Sequence, residues 1–255
     1  MSKKLAAVAA IAIASLPMLY AQARAPQNES IRQDDMRADL FFLAGDSMRG
    51  RLTDTEENRA SADFIRSRFE RMGLKAAGPD NSFFQPYNLM VASLGEGSGL
   101  DVVAGDKASR HLSAGQDFYP HRFSASGHAS GPVVFAGFGI SAPALQYDDL
   151  GRTFNGQIVL LLDHEPGERD ANSPFDGVVT SESATAWRKA LAAQEKGAAG
   201  VLFVSDVHNH PGPANFEAAA RAYWPEKPPR IQNYTLAGWA DRIRIPVAQI
   251  SPATG

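Results

Sequence analysis

The apolar and polar positions of this chain change rhythm once, close to residue 90. Before that point the apolar residues recur at helical spacing, with Met36, Leu40, Leu43 and Ala44 on one face of a predicted helix over 31–44. The turn-rich stretch GDSMRGRLTD (45–54) interrupts it. A second helix follows, with Ala60, Phe64, Ile65, Phe69 and Met72 as its apolar face. Asp54 stands at the N-cap with Glu57 three residues on, as in a capping box, and Gly73 stands where a left-handed C-terminal cap is wanted. The polar residues 25–30 ahead of these helices read as an unstructured lead-in.

Beyond Met90 the texture is different. Residues 91–130 are rich in Ser, Gly and Ala, with short apolar pieces such as Leu100 to Val103, and read as an irregular or short-stranded lead-in. Then come four compact apolar runs: VVFAG (133–137), QIVLLLD (157–163), GVLFVSD (200–206) and IPVAQIS (245–251). Each is short, β-branched and fenced by Gly, Pro or Asp, which predicts buried strands. Residues 181–196 separate two of these runs and predict a helix with Trp187, Ala190 and Leu191 on one face, ended by Gly197. Strand, helix and strand in succession make a βαβ unit, so part of the sheet is expected to be parallel. The fold class is α/β (α+β).

Composition adds an address and removes some chemistry. The 255 residues are 44% hydrophobic and 21% charged, enough to bury a core. The net charge is −3 and no basic run occurs, which excludes nucleic acid as a partner, because phosphate binding needs a concentrated positive face. Lys3 and Lys4, the apolar stretch Leu5 to Leu19, and Ala21-Gln22-Ala23 form a predicted signal peptide over 1–23. Its apolar part is shorter than the roughly 20 residues of a bilayer span, so no stable membrane anchor is expected after cleavage at Ala23. The mature chain is expected to be secreted or periplasmic, with both leader lysines lost and the charge lowered from −3 to −5. There is no cysteine, so disulfides, thiolate nucleophiles and cysteine zinc sites are out of reach.

The remaining candidates are glycines, aspartates and histidines. Gly137 and Gly139 bracket Phe138, but the third glycine of a dinucleotide loop is missing and Pro132 and Pro143 flank the stretch. Tight strand packing or a bulge is the better reading. Asp148 and Asp149 are adjacent, so on a strand they point to opposite faces, and in a turn one of them accepts backbone N–H bonds. The histidines are His111, His121, His128, His164, His208 and His210. Only His208 and His210 form a close pair, and a tetrahedral zinc site needs a third protein ligand, for which Asp206 is the nearest acid. DHEPGERD, from Asp163 to Asp170, has ligand-type residues in no spacing that fixes a metal. Tyr223 and Trp224 read as a packed loop. There is no Gly-x-Ser-x-Gly elbow and no His-Glu-x-x-His helix. No catalytic, cofactor-binding or metal-ligating residue is assigned.

FAGFGISAPALQYDDLGRTFNGQIVLLLDHEPG resembles a protease-associated (PA) domain of the kind inserted in secreted bacterial two-zinc aminopeptidases. KALAAQEKGAAGVLFVSD resembles its later helix–strand step, and IPVAQIS a strand near its end. LFFLAGDSMRGRLTDTEENRASADFIRSRFERMGLKAAG resembles the segment ahead of that insert, the opening helices of the peptidase domain. The resemblance implies a helical segment over 24–90 belonging to an incomplete zinc-peptidase domain, an irregular lead-in over 91–130, and a PA domain over 131–255 with a β-sandwich or barrel-like sheet and flanking helices. It also implies a parent enzyme with two zinc ions that removes N-terminal residues from peptides. The His-x-Asp of that family is nowhere in this chain. No zinc is therefore expected on it, and peptide substrate would meet only the missing peptidase domain.

Overall fold

The computed structural model describes residues 31–105, 109–206, 210 and 215–255. The predicted leader over 1–23 and His208 lie outside the described residues. The chain divides between Pro86 and Tyr87 into two units.

The first unit holds α1 (Gln33–Ala44) and α2 (Glu56–Arg71). Two turns of 3₁₀ helix, Asp46–Arg51, join them. Asp54 is not the cap of α2. It takes a left-handed backbone and its carboxylate receives Arg59, while Thr55, directly before the first helical residue, accepts the Asn58 N–H at 3.2 Å. Phe42 and Phe64 stack at 4.3 Å between ring centres, and Arg68 donates to Asp39 at 2.7 Å. Among its described residues, Met48 is the one buried hydrophobic side chain of this unit.

The second unit is built on a sheet. In chain order its strands are β1 (Leu89–Val91), β2 (Leu100–Val102), β3 (Arg110–Leu112), β4 (Phe118–Pro120), β5 (Val133–Phe135), β6 (Ser141–Ala142) and β7 (Tyr147–Asp148). They continue as β8 (Ile158–Leu162), β9 (Gly200–Val204), β10 (Tyr234–Leu236) and β11 (Val247–Ile250). Its helices are α3 (Ala186–Glu195), α4 (Phe216–Tyr223) and α5 (Ala237–Ala240). Five strands make the main sheet in the order β4-β11-β9-β8-β5. The four predicted apolar runs are its parallel members, and β4 pairs antiparallel with β11. The expected mixed class forms, but the sheet stays open and does not close into a barrel.

Of the two readings of 91–130, irregular or short-stranded, short strands form at several of its described residues. Phe118–Pro120 supplies the sheet edge, where Pro120 costs no ladder bond that another strand needs. Leu100–Val102 and Arg110–Leu112 form a separate two-stranded ladder.

The middle of the sheet is covered on both faces, as its parallel strands require, while Val133 and Phe135 of the edge strand β5 stay more than half exposed. Val159, Leu161, Val201, Phe203 and Val247 face α3 and pack with Trp187, Ala190 and Leu191. The alternate residues, Leu160, Leu162, Leu202 and Ile250, face the other way onto Leu112 and Phe118. Register is thus fixed twice, since a one-residue slip would exchange both sets. No described helix is long and apolar enough to cross a membrane.

Candidate functional site

The polar residues that matter gather where the parallel strands β8 and β9 end. Leu162 and Val204 are register partners at these ends, so the residues after them leave the sheet side by side. Asp163 follows β8, and its Oδ2 accepts from Ser205 Oγ at 3.1 Å and from Gln249 Nε2 at 2.7 Å. One carboxylate therefore ties together the ends of three neighbouring strands.

Next along the chain is His164, whose backbone sits in the left-handed region at φ 61°. A bulky side chain is uncommon there, and something must hold it. Lys189 of α3 does so, donating from Nζ to Leu162 O at 3.1 Å and to His164 O. The lysine is buried at 1% exposure. Burial pushes its ammonium down to about 8, against the opposing pull of Asp163, Glu165, Asp149 and Glu168. Glu165 beside it is also buried and accepts Ser181 N at 3.0 Å as well as the Ser181 hydroxyl.

The turn that begins at His164 brings Glu168 back toward it. Glu168 Oε2 lies 3.1 Å from His164 Nδ1, and Glu168 Oε1 lies 2.9 Å from His210 Nε2. The two imidazole rings stand 4.5 Å apart between centres. His210 arrives from the segment after β9, with its N–H on Asp206 O at 2.9 Å. Two imidazoles and a carboxylate thus share one small volume, with all three donor atoms within 4.8 Å of one another. Of the sequence pair His208 and His210, only His210 belongs to the described residues. Its partners are His164 and Glu168 from the DHEPGERD segment. Neither segment suggests the other by spacing. The signal was their common position at the ends of two strands predicted to flank one helix.

Asp148 and Asp149 do the work of a turn. Asp148 Oδ1 accepts Leu150 N at 3.0 Å, and Asp149 faces Gly137 and Tyr147. A Cβ on Gly137 would meet the Asp149 carboxylate at 2.9 Å, and one on Gly139 would meet Leu161 at 2.5 Å. Both glycines have positive φ, and Gly139 serves close packing against Leu161 of β8 while Gly137 makes room for the Asp149 carboxylate. Tyr223 and Trp224 are packed: Tyr223 Oη accepts Arg122 N at 3.0 Å, and Trp224 Nε1 donates to Pro120 O at 2.8 Å. His121 is enclosed by the rings of Tyr119, Phe123, Phe203 and Tyr223. Burial pushes its imidazole down to about 4, with Asp163 and Gln249 acting in the opposite sense.

No family model matches the chain, and no curated protein matches it. Among solved structures, the aminopeptidase from Aneurinibacillus sp. strain AM-1 is similar over 87% of this chain, at 14% identity and a TM-score of 0.33. The chain spans 39% of the length of that protein.

Proposed function

We propose that the chain is the leading portion of a secreted, zinc-dependent aminopeptidase, with residues 1–23 as its removable leader. In this reading 131–255 form a PA-type domain that shapes peptide access or binds partners, and nucleic acid is no partner. The observation that carries the reading lies in the first unit. Its helices bury almost nothing of their own: Met36, Leu40, Phe41 and Met72 are all more than half exposed. A helix stabilised by packing needs a surface for its apolar face, and the opening helices of a larger peptidase domain would find one there.

The two-zinc centre of such an enzyme does not fit the residues present, since the chain has no His-x-Asp. No catalytic step is therefore assigned to it. Purified 1–255 with zinc should not hydrolyse aminoacyl-nitroanilides, whereas the in-frame product of the coding sequence continued past codon 255 should. A stop codon directly after Gly255, or zinc-dependent turnover by the chain alone, would overturn the reading. The second unit, with apolar clusters of its own on both sheet faces, favours one alternative: a self-standing secreted PA-type binding module without enzymatic activity.

A further inference from the structure

The cluster at the carboxyl ends of β8 and β9 has the donor types that hold zinc, two imidazoles and a carboxylate. The geometry points to a site for one divalent transition-metal ion of the zinc class, held by His164 Nδ1, His210 Nε2 and a Glu168 oxygen. This site stands whether or not the peptidase reading holds.

Distance is the first argument. Metal bonds of about 2.0–2.2 Å in a tetrahedron put neighbouring donors about 3.3 Å apart. His164 Nδ1 lies 3.1 Å from Glu168 Oε2 and His210 Nε2 lies 2.9 Å from Glu168 Oε1, so the two rings already reach the two oxygens of one carboxylate. One ligand atom from each of the three residues lies within 4.8 Å of the others, so the set has to draw closer together to grip an ion.

Hydrogen bonding is the second. His210 Nε2 is screened from solvent and makes no hydrogen bond, although a carboxylate oxygen stands 2.9 Å away. The approach does not have the angle of an N–H···O bond. A buried nitrogen beside a carboxylate that it does not bond is satisfied by a cation within reach of both. The Glu168 side chain is only 15% exposed, so its charge is also poorly served by water.

Anchoring is the third. His164 is held in an uncommon backbone conformation, with its carbonyl gripped by Lys189, and His210 is tied through its N–H to Asp206 O. The Lys189 ammonium is turned to carbonyl oxygens and occupies none of the three donors. A bound ion would pin the segment after β8 to the segment after β9. Three protein ligands would leave a fourth position for water or for an atom from outside.

The test is a zinc titration of the chelator-stripped chain, by calorimetry and by competition with a chromogenic chelator. One equivalent is expected, with a higher thermal midpoint on binding. His164→Ala and Glu168→Gln should each weaken binding by at least about tenfold, the scale at which even outer-sphere changes act. The double variant His164→Ala/His210→Ala should abolish it. His111→Ala, an exposed histidine paired with Asp101, should leave it unchanged. Circular dichroism without metal checks that the variants are folded. If one is not, cobalt(II) spectra of the unaltered chain decide instead, because low-coordinate nitrogen–oxygen ligation gives intense ligand-field bands. Absence of uptake at micromolar zinc, binding that survives the double variant, or a cobalt spectrum like that of the hydrated ion would each overturn the site.

Discussion

Helices α1 and α3 are both read in the sequence from apolar residues at helical spacing, yet they end in opposite circumstances. No residue of α1 is buried, and α2 beside it buries only Ser61. In α3, Trp187, Lys189, Ala190, Leu191 and Ala193 are all buried. The difference lies in what each helix is offered. Helix α3 lies between two parallel strands that it connects, so the chain itself supplies the apolar floor. Within the first unit, α1 and α2 meet each other, the 3₁₀ turns and Phe83, and two short helices cannot enclose a core. A hydrophobic stripe predicts a helix but says nothing about whether its partner is within reach.

The contrast can be broken at its strongest point first. Phe203 is fully buried under α3, so Phe203→Ala should cost about 3–5 kcal/mol in urea or guanidinium unfolding of the second unit. A loss below 1 kcal/mol would mean that this core is not the source of stability. Next in size is an acid effect confined to the same unit. The folded His121 is lowered to about 4 from an ordinary 6.5, so the unfolded chain binds more protons between these values. Stability from this group is complete above pH 6.5 and is lost as pH falls toward 4, by up to about 3 kcal/mol. His121→Phe should flatten the pH profile of thermal unfolding in that window, and an unchanged profile would remove His121 as the cause.

Smaller effects belong to the first unit. Thr55→Ala removes the cap of α2 and should cost that helix about 1 kcal/mol, read as faster amide exchange in its first turn. Asp54→Ala should do less, since its carboxylate meets only an exposed arginine. Smallest of all is Phe41→Ala. With Phe41 69% exposed, the change should stay within about 0.5 kcal/mol in the isolated chain. A cost like that of Phe203→Ala would erase the contrast between the units.

What could be read from sequence follows the same division. The four apolar runs, the helix between two of them and the parallel pairing were legible because burial on both faces leaves continuous β-branched segments. The turn role of Asp148 was legible from its neighbours, and so was the packing role of Gly139. The cap of α2 was misplaced by one residue, since Asp54 and Thr55 are both good caps and only backbone geometry separates them. The site was legible only in halves. His164 and Glu168 span a turn, and His210 stands far along the chain. Their meeting depends on β8 and β9 being neighbours in register, which no local spacing encodes. Lys189 was hidden for a similar reason: on a helix face it looks like a solvated charge, and only the fold puts it under the end of β8.

Native-state hydrogen exchange on the full chain tests the central claim, that the second unit stands on its own core and the first does not. The account predicts amides of β8, β9 and β11 exchanging only through global unfolding, with those of α1 and α2 exchanging through local opening at far lower cost. Equal, strong protection across residues 33–71 would contradict it and would favour a self-sufficient module.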